Sequence, residues 1–205
     1  MNHLSESGFM LDGDALRYWR EPGYNQPQTN ERTVELPILF RLLAQAEQAG
    51  QTVLEVGAVS PYYRQVEHEV CDPYDEKATL PVSLFDVADP YDVVVSISTL
   101  EHVGLPEYGS QSSDPGLALE AVAHLKALAR HLLLFTIPLG HHAELDRAVL
   151  AGELGITLAS YLMRQDWHNH WQQVPLEQAT NARYGKPFNN GNCVAVCQWC
   201  QEKDH

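Results

Sequence analysis

The sequence predicts an α/β protein: a doubly wound, mostly parallel seven-stranded sheet with helices on both faces. Two observations carry that expectation. Short apolar, β-branched runs alternate along the chain with helical or loop segments, the element order that builds parallel sheets. The runs are also continuous in their hydrophobicity rather than alternating, as strands covered on both faces are.

Residues 1–30 are polar and turn-rich, with Glu21-Pro22-Gly23 and Asn25-Gln26-Pro27, and read as an arm that covers something; residues 31–205 read as the domain. A helix is expected over 31–48, where Val34, Ile38, Leu42 and Ala46 recur at i+4 and Gly50 closes the run. Strands are expected at 52–56, 65–71, 80–84, 91–97 and 132–137. Between the last two, Leu117, Ala121, Val122, Leu125 and Leu128 give one apolar face to a helix over 115–130. A helix over 142–152 and strands at 156–163 and 192–199 complete the pattern, the closing strands being candidates for an antiparallel pair.

Composition narrows the function. At 205 residues the chain has room for one sizeable core. Thirteen basic residues against 27 acidic ones leave a net charge of -14, which repels phosphate backbones, so no nucleic-acid partner is expected. Apolar runs fall far short of the roughly 20 residues a membrane span needs. Met1 to Leu11 lacks the basic start and apolar stretch of a signal peptide, and a cytoplasmic location is the default expectation. The thiols of Cys71, Cys193, Cys197 and Cys200 read as reduced; Cys197 and Cys200 form a lone C-x-x-C without two further ligands, and no metal is expected.

The chemistry begins at the end of the first strand, Val53-Leu54-Glu55-Val56-Gly57-Ala58-Val59-Ser60. Gly57, two residues after the acidic Glu55 at a strand end, lets the chain turn tightly and can bring backbone amides against a ligand. Asp72 ends the second strand, 17 residues after Glu55, where a carboxylate can accept both hydroxyls of a ribose. Asp86 follows the third strand in Leu84-Phe85-Asp86-Val87. Taken singly, each acid reads as a solvated loop residue; their placement at three consecutive strand ends is what singles them out. The fourth strand runs into Ser96-Ile97-Ser98-Thr99-Leu100-Glu101-His102-Val103.

Together these stretches resemble class I S-adenosylmethionine-dependent methyltransferases, in a divergent branch whose glycine-rich loop is eroded: Val59 and Pro61 stand where the family usually has further glycines. The resemblance covers residues 29–140. It implies the Rossmann-like methyltransferase fold and S-adenosylmethionine as cofactor, held by Glu55, Gly57, Ala58, Asp72, Asp86 and the Ser96, Ile97 and Ser98 backbone. Arg32, in the lead-in helix, either pairs with the cofactor carboxylate or forms a surface salt bridge. His102 is the candidate catalytic residue, a general base for an oxygen or nitrogen nucleophile, or else it packs the turn.

The last third adds Asp166-Trp167-His168-Asn169-His170-Trp171 and, after the fifth strand, His141 and His142, which could line a polar-aromatic pocket or hold a metal. The expected function is methyl transfer to a small-molecule acceptor, a sugar or other metabolite. The alternatives are a methyltransferase-like binding protein without catalysis, or a binder of another nucleoside.

Overall fold

Gly8–Leu11 (β1) and Asp14–Arg17 (β2) pair as an antiparallel hairpin inside the stretch expected to be an arm. Asp12 and Gly13 at its tip both hold positive φ, the conformation that Asp-Gly tolerates in two-residue hairpin turns. The computed structural model describes residues 6–107 and 113–201; the first five residues of the arm and the last four of the chain lie outside these.

The first helix, Arg32–Gln48 (α1), holds Pro37 in its second turn. Proline has no N–H to offer the Thr33 carbonyl, and the Trp19 amide takes that acceptor instead at 2.9 Å. The Thr33 hydroxyl returns a bond to the Trp19 carbonyl at 3.0 Å, so the missing helix bond is what fastens the arm to α1.

The main sheet comprises Val53–Val56 (β3), Glu69–Cys71 (β4), Tyr91–Ile97 (β5), Ala129–Pro138 (β6), Leu158–Arg164 (β7), Trp171–Val174 (β8) and Cys193–Cys200 (β9). Leu117–Leu128 (α2) precedes β6, Ala143–Leu150 (α3) follows it, and Leu176–Ala179 (α4) follows β8. The strand order is β4-β3-β5-β6-β9-β7-β8. The first four pair in parallel, and β9 lies antiparallel between β6 and β7, so β7 runs with those four and five of the seven strands share a direction.

The seventh strand is not the one the sequence suggests. The expected strand at 80–84 reduces to a parallel bridge between Leu80 and Cys71, because Pro81 has no N–H to continue a ladder. Its place in the count is taken by β8, at the opposite edge. The strand expected from residue 65 begins only at Glu69.

Both faces of the sheet are covered. On one, Val34, Ile38 and Leu39 of α1 and Phe9 and Leu11 of the hairpin pack on Val93, Val95, Leu134, Val194 and Trp171. On the other, Ala121, Val122 and Leu125 of α2 and Leu145 and Val149 of α3 pack on Leu54, Val94, Leu133, Phe135 and Cys197. Cys197 and Cys200 sit three apart on β9 and so point to opposite faces, which denies them a shared metal. No helix among the described residues is long and apolar enough to cross a membrane.

Candidate functional site

The chain reverses its direction of travel across the sheet between β3 and β5, and ligands of open α/β sheets bind beyond the carboxyl ends of strands at such a switch. The turn after β3 is tightly self-bonded. Glu55, fully buried, accepts the Val59 amide at 3.0 Å and the Ser60 amide at 2.7 Å, and also bonds the Ser60 hydroxyl and His68 Nε2. The Gly57 amide donates to the Cys71 carbonyl at 2.9 Å and the Ala58 amide to Asp72 Oδ2 at 3.3 Å. Gly57 holds φ at +87°, and a Cβ there would collide with the Thr99 hydroxyl and methyl. Its bareness therefore admits Thr99, not only the tight turn expected of it.

Asp72 Oδ1 accepts from the amides of Tyr74 and Asp75, at 2.9 and 3.1 Å. A carboxylate offers about four lone-pair positions, so the one still open is on Oδ2. Asp86 is exposed, on a 3-10 turn over Leu84–Asp86. The Ser96 hydroxyl is turned back onto the Val56 carbonyl at 2.9 Å, inside the sheet. The Ile97 carbonyl takes Arg32 Nη1 at 3.4 Å, and Ser98 leaves the strand in the left-handed region, φ +39°.

Above the ends of β5 and β6 lies a polar cavity of about 600 Å³, bordered by Asn30, Glu31, Arg32, Ser98, Glu101, His102 and His141 among others. Arg32, on its border, belongs to a buried ion pair. Glu35, in the first turn of α1, holds Arg32 through Oε2 at 2.6 Å, and its Oε1 accepts the hydroxyls of Ser98 at 2.6 Å and Thr136 at 2.7 Å. One carboxylate thus ties α1 to the ends of both strands. Burial alone would lower the Arg32 pKa, but Glu35, Glu31 and Glu101 around it drive it upward. Burial, and then the neighbouring Glu35, pushes Glu31 above the usual carboxylate range; Glu31 accepts the Gly191 amide at 2.9 Å. Glu101 is pushed further still by burial, and its Oε2 has no partner among the described residues.

His102 sits on the turn Leu100–His102, its Nδ1 bonded to Glu107 and its Nε2 3.7 Å from Glu101. Burial pulls its pKa below the ordinary histidine value, against the opposing pull of Glu107. The rings of His102 and His141 meet edge-on with centroids 4.9 Å apart, and Tyr184 packs edge-on against His141.

Of the residues the sequence singled out, Arg32, Ser98 and His102 border one cavity, while Glu55, Gly57, Ala58 and Asp72 gather in the neighbouring turn. The two groups join where Thr99 packs on Gly57. Arg32 forms a buried salt bridge rather than a surface one. Trp167–Trp171 does not border the cavity: Trp171 is buried under the hairpin, and Asn169 bonds the carbonyls of Gln28 and Asn30. The arm itself does border it, through Gly23, Asn25, Gln26 and Thr29. Sequence reading missed Glu31, Glu35 and Glu107. Arg32 and Glu35 at i,i+3 were the legible signal; Glu107 belongs to no period.

No family model and no curated protein matches the chain. Among solved structures it is similar to magnesium protoporphyrin IX methyltransferase of Synechocystis with bound S-adenosylmethionine: 14% identity, TM-score 0.45, over 87% of this chain and 88% of that one. The same enzyme with S-adenosylhomocysteine gives 15%, 0.45, 87% and 91%. A Pyrococcus horikoshii protein whose suggested activity is RNA methylation gives 11%, 0.44, 92% and 93%. Scores below 0.5 leave the strand order as the ground for the fold. The chain has a Rossmann-like α/β fold, a seven-stranded, mostly parallel sheet with helices on both faces. The turn after β3 is where the sequence resemblance expects the glycine loop, and the cavity lies over β5 and β6.

Proposed function

We propose that the protein transfers the methyl group of S-adenosylmethionine to a small polar acceptor held in the cavity. The observation that carries this reading is the position of the cavity, bordered by Ser98 and Arg32 beside the switch between β3 and β5. The residues fit the cofactor: Asp72 keeps an acceptor position on Oδ2, Asp86 is exposed at the end of the next segment, and Arg32 borders the cavity with both its bonds made through Nη1. When bound, S-adenosylmethionine supplies an electrophilic methyl carbon. Asp72 receives a ribose hydroxyl, Asp86 the adenine amino group, and Arg32 the carboxylate. Glu31, Glu101 and the arm residues orient the acceptor and exclude water. His102 takes a proton from the nucleophile, its imidazole held in place by Glu107. The acidic surface and the absence of a membrane-spanning helix among the described residues go with a metabolite acceptor in the cytoplasm.

A second reading has its own support. The amides of Gly57, Ala58, Val59 and Ser60 all have partners within the protein, and Thr99 fills the bare face of Gly57. That arrangement suits a cofactor-free binding protein on the same fold. Calorimetric titration with S-adenosylmethionine and S-adenosylhomocysteine separates the two. Micromolar binding, roughly -8 kcal/mol, that weakens at least about tenfold in Asp72→Ala is the expected result. No heat and no thermal shift with either ligand replaces the proposal with the second reading.

A further inference from the structure

Three side chains from two stretches converge where His102 and His141 border the cavity: His102 on its turn, Glu107 five residues on, and His141 after β6. One ligating atom from each lies within 4.8 Å of the other two. Glu107 Oε2 bonds His102 Nδ1, and its Oε1 lies 3.8 Å from His141 Nε2. Two buried atoms beside these donors have no partner among the described residues: His141 Nδ1, and Oε2 of Glu101, a side chain 2% exposed that borders the cavity.

We propose that His102, Glu107 and His141 bind one divalent transition-metal ion, with an open coordination position facing the cavity. The donor set selects the ion. Two imidazoles and one carboxylate suit zinc, iron or a neighbouring first-row metal, whereas magnesium and calcium favour oxygen throughout. A tetrahedral ion with bonds of about 2.0–2.1 Å spaces its ligands roughly 3.3 Å apart. Binding through His102 Nδ1 and His141 Nε2 therefore asks for small side-chain rotations: His102 and Glu107 part, and His141 closes on Glu107. His102 Nε2 then carries its proton toward Glu101, 3.7 Å away, the carboxylate–histidine–metal arrangement that fixes a ligating ring. Tyr184, edge-on to His141 at 5.0 Å, holds the second ring.

This departs from the sequence expectation of no metal, because the three ligands follow no helical or strand period. The consequence for catalysis rests on the methyl-transfer reading: an acceptor hydroxyl on the open position would be acidified by the ion, which then replaces His102 as the activating group. Metal binding itself does not depend on that reading.

The test is titration of the full chain, stripped with chelator, with Zn²⁺ and Co²⁺, followed by calorimetry and visible absorption. One ion per chain is expected, with a cobalt spectrum free of thiolate charge transfer. Cys200→Ser, which removes the exposed thiol, should bind as the parent does. Glu107→Gln and His141→Asn should each weaken binding about 100-fold while melting as the parent does without metal. Should one of them fold poorly, the other, with the cobalt spectrum, still decides. Absence of stoichiometric binding, a thiolate band, or equal affinity in both variants overturns the assignment. S-adenosylmethionine affinity, measured separately on the stripped protein, shows whether the cofactor reading fails instead.

Discussion

Thr99 and Gly57 fix each other. Gly57 sits at φ +87°, where an L side chain is strained, and any Cβ would run into Thr99. Gly57→Ala should cost more than about 2 kcal/mol in denaturant unfolding. Pairing it with Thr99→Gly should recover part of that loss, since the strain and the clash are separable terms. Equal losses in the single and double variants would show that backbone strain acts alone. Asp146 gives the pH counterpart. Its carboxyl accepts the Gly140 amide at 2.7 Å, yet burial raises its pKa to about 6 and Oδ1 has no partner among the described residues. A carboxyl whose folded pKa lies above its unfolded value of 3.8 contributes stability below that value and loses it as pH rises through about 6. Asp146→Asn should therefore melt higher than the parent above pH 6, by about 1 kcal/mol after allowing for partial exposure, and match it below about pH 4. A pH-independent difference would rule out titration as its cause. At this scale the sequence exposed Gly57, Asp72 and His102 because strand ends are legible. It hid Thr99, Glu35 and Glu107, whose importance comes from neighbours distant in the chain.

Among the elements, the hairpin β1–β2 was not legible as strands. Its polar, turn-rich sequence reads as an arm that covers something, and within it Phe9, Leu11 and Tyr18 are buried and pack toward β8. Tyr18 closes the edge of the sheet: its hydroxyl accepts the Trp171 amide at 2.8 Å and donates to the Trp171 carbonyl at 3.1 Å. A sheet edge without such a cover presents unpaired backbone groups. Tyr18→Phe keeps the ring and removes both bonds, leaving a buried N–H and C=O of one residue unpartnered. A loss of about 2–3 kcal/mol in chemical denaturation follows, with little change in cavity chemistry. A loss below about 0.5 kcal/mol would mean that water replaces the hydroxyl. The strand β8 itself was illegible because Trp171–Val174 mixes Trp, two Gln and Val, with no apolar run. Long apolar elements such as β5, α1 and α2 were read nearly to the residue, since burial on a covered sheet leaves no other composition open to them.

At the scale of the whole molecule, the fold was legible because alternating strands and helices admit few topologies once crossovers must be right-handed. What the cavity holds was not, because the cavity is assembled from the arm, α1 and the loops after β5 and β6. Charge does speak to one class of candidate ligand. The chain carries 13 basic residues against 27 acidic ones, and most of the basic ones face partners within the protein. Arg32, Arg41, Arg130 and Arg147 lie within ion-pair distance of carboxylates. Arg20, Arg64, Lys77, Lys126 and Arg164 lie over aromatic rings. Neither set forms a basic stripe along which a phosphate backbone could release its counterions. Fluorescence polarisation with labelled single- and double-stranded RNA at physiological salt should accordingly detect nothing tighter than the ~10⁻⁴ M edge of non-specific association. Tighter binding that weakens steeply with added salt would return RNA to the candidate acceptors and displace the small-molecule reading. Tighter binding that ignores salt would point to base stacking in the cavity instead, and Tyr184→Ala would then be the variant to abolish it.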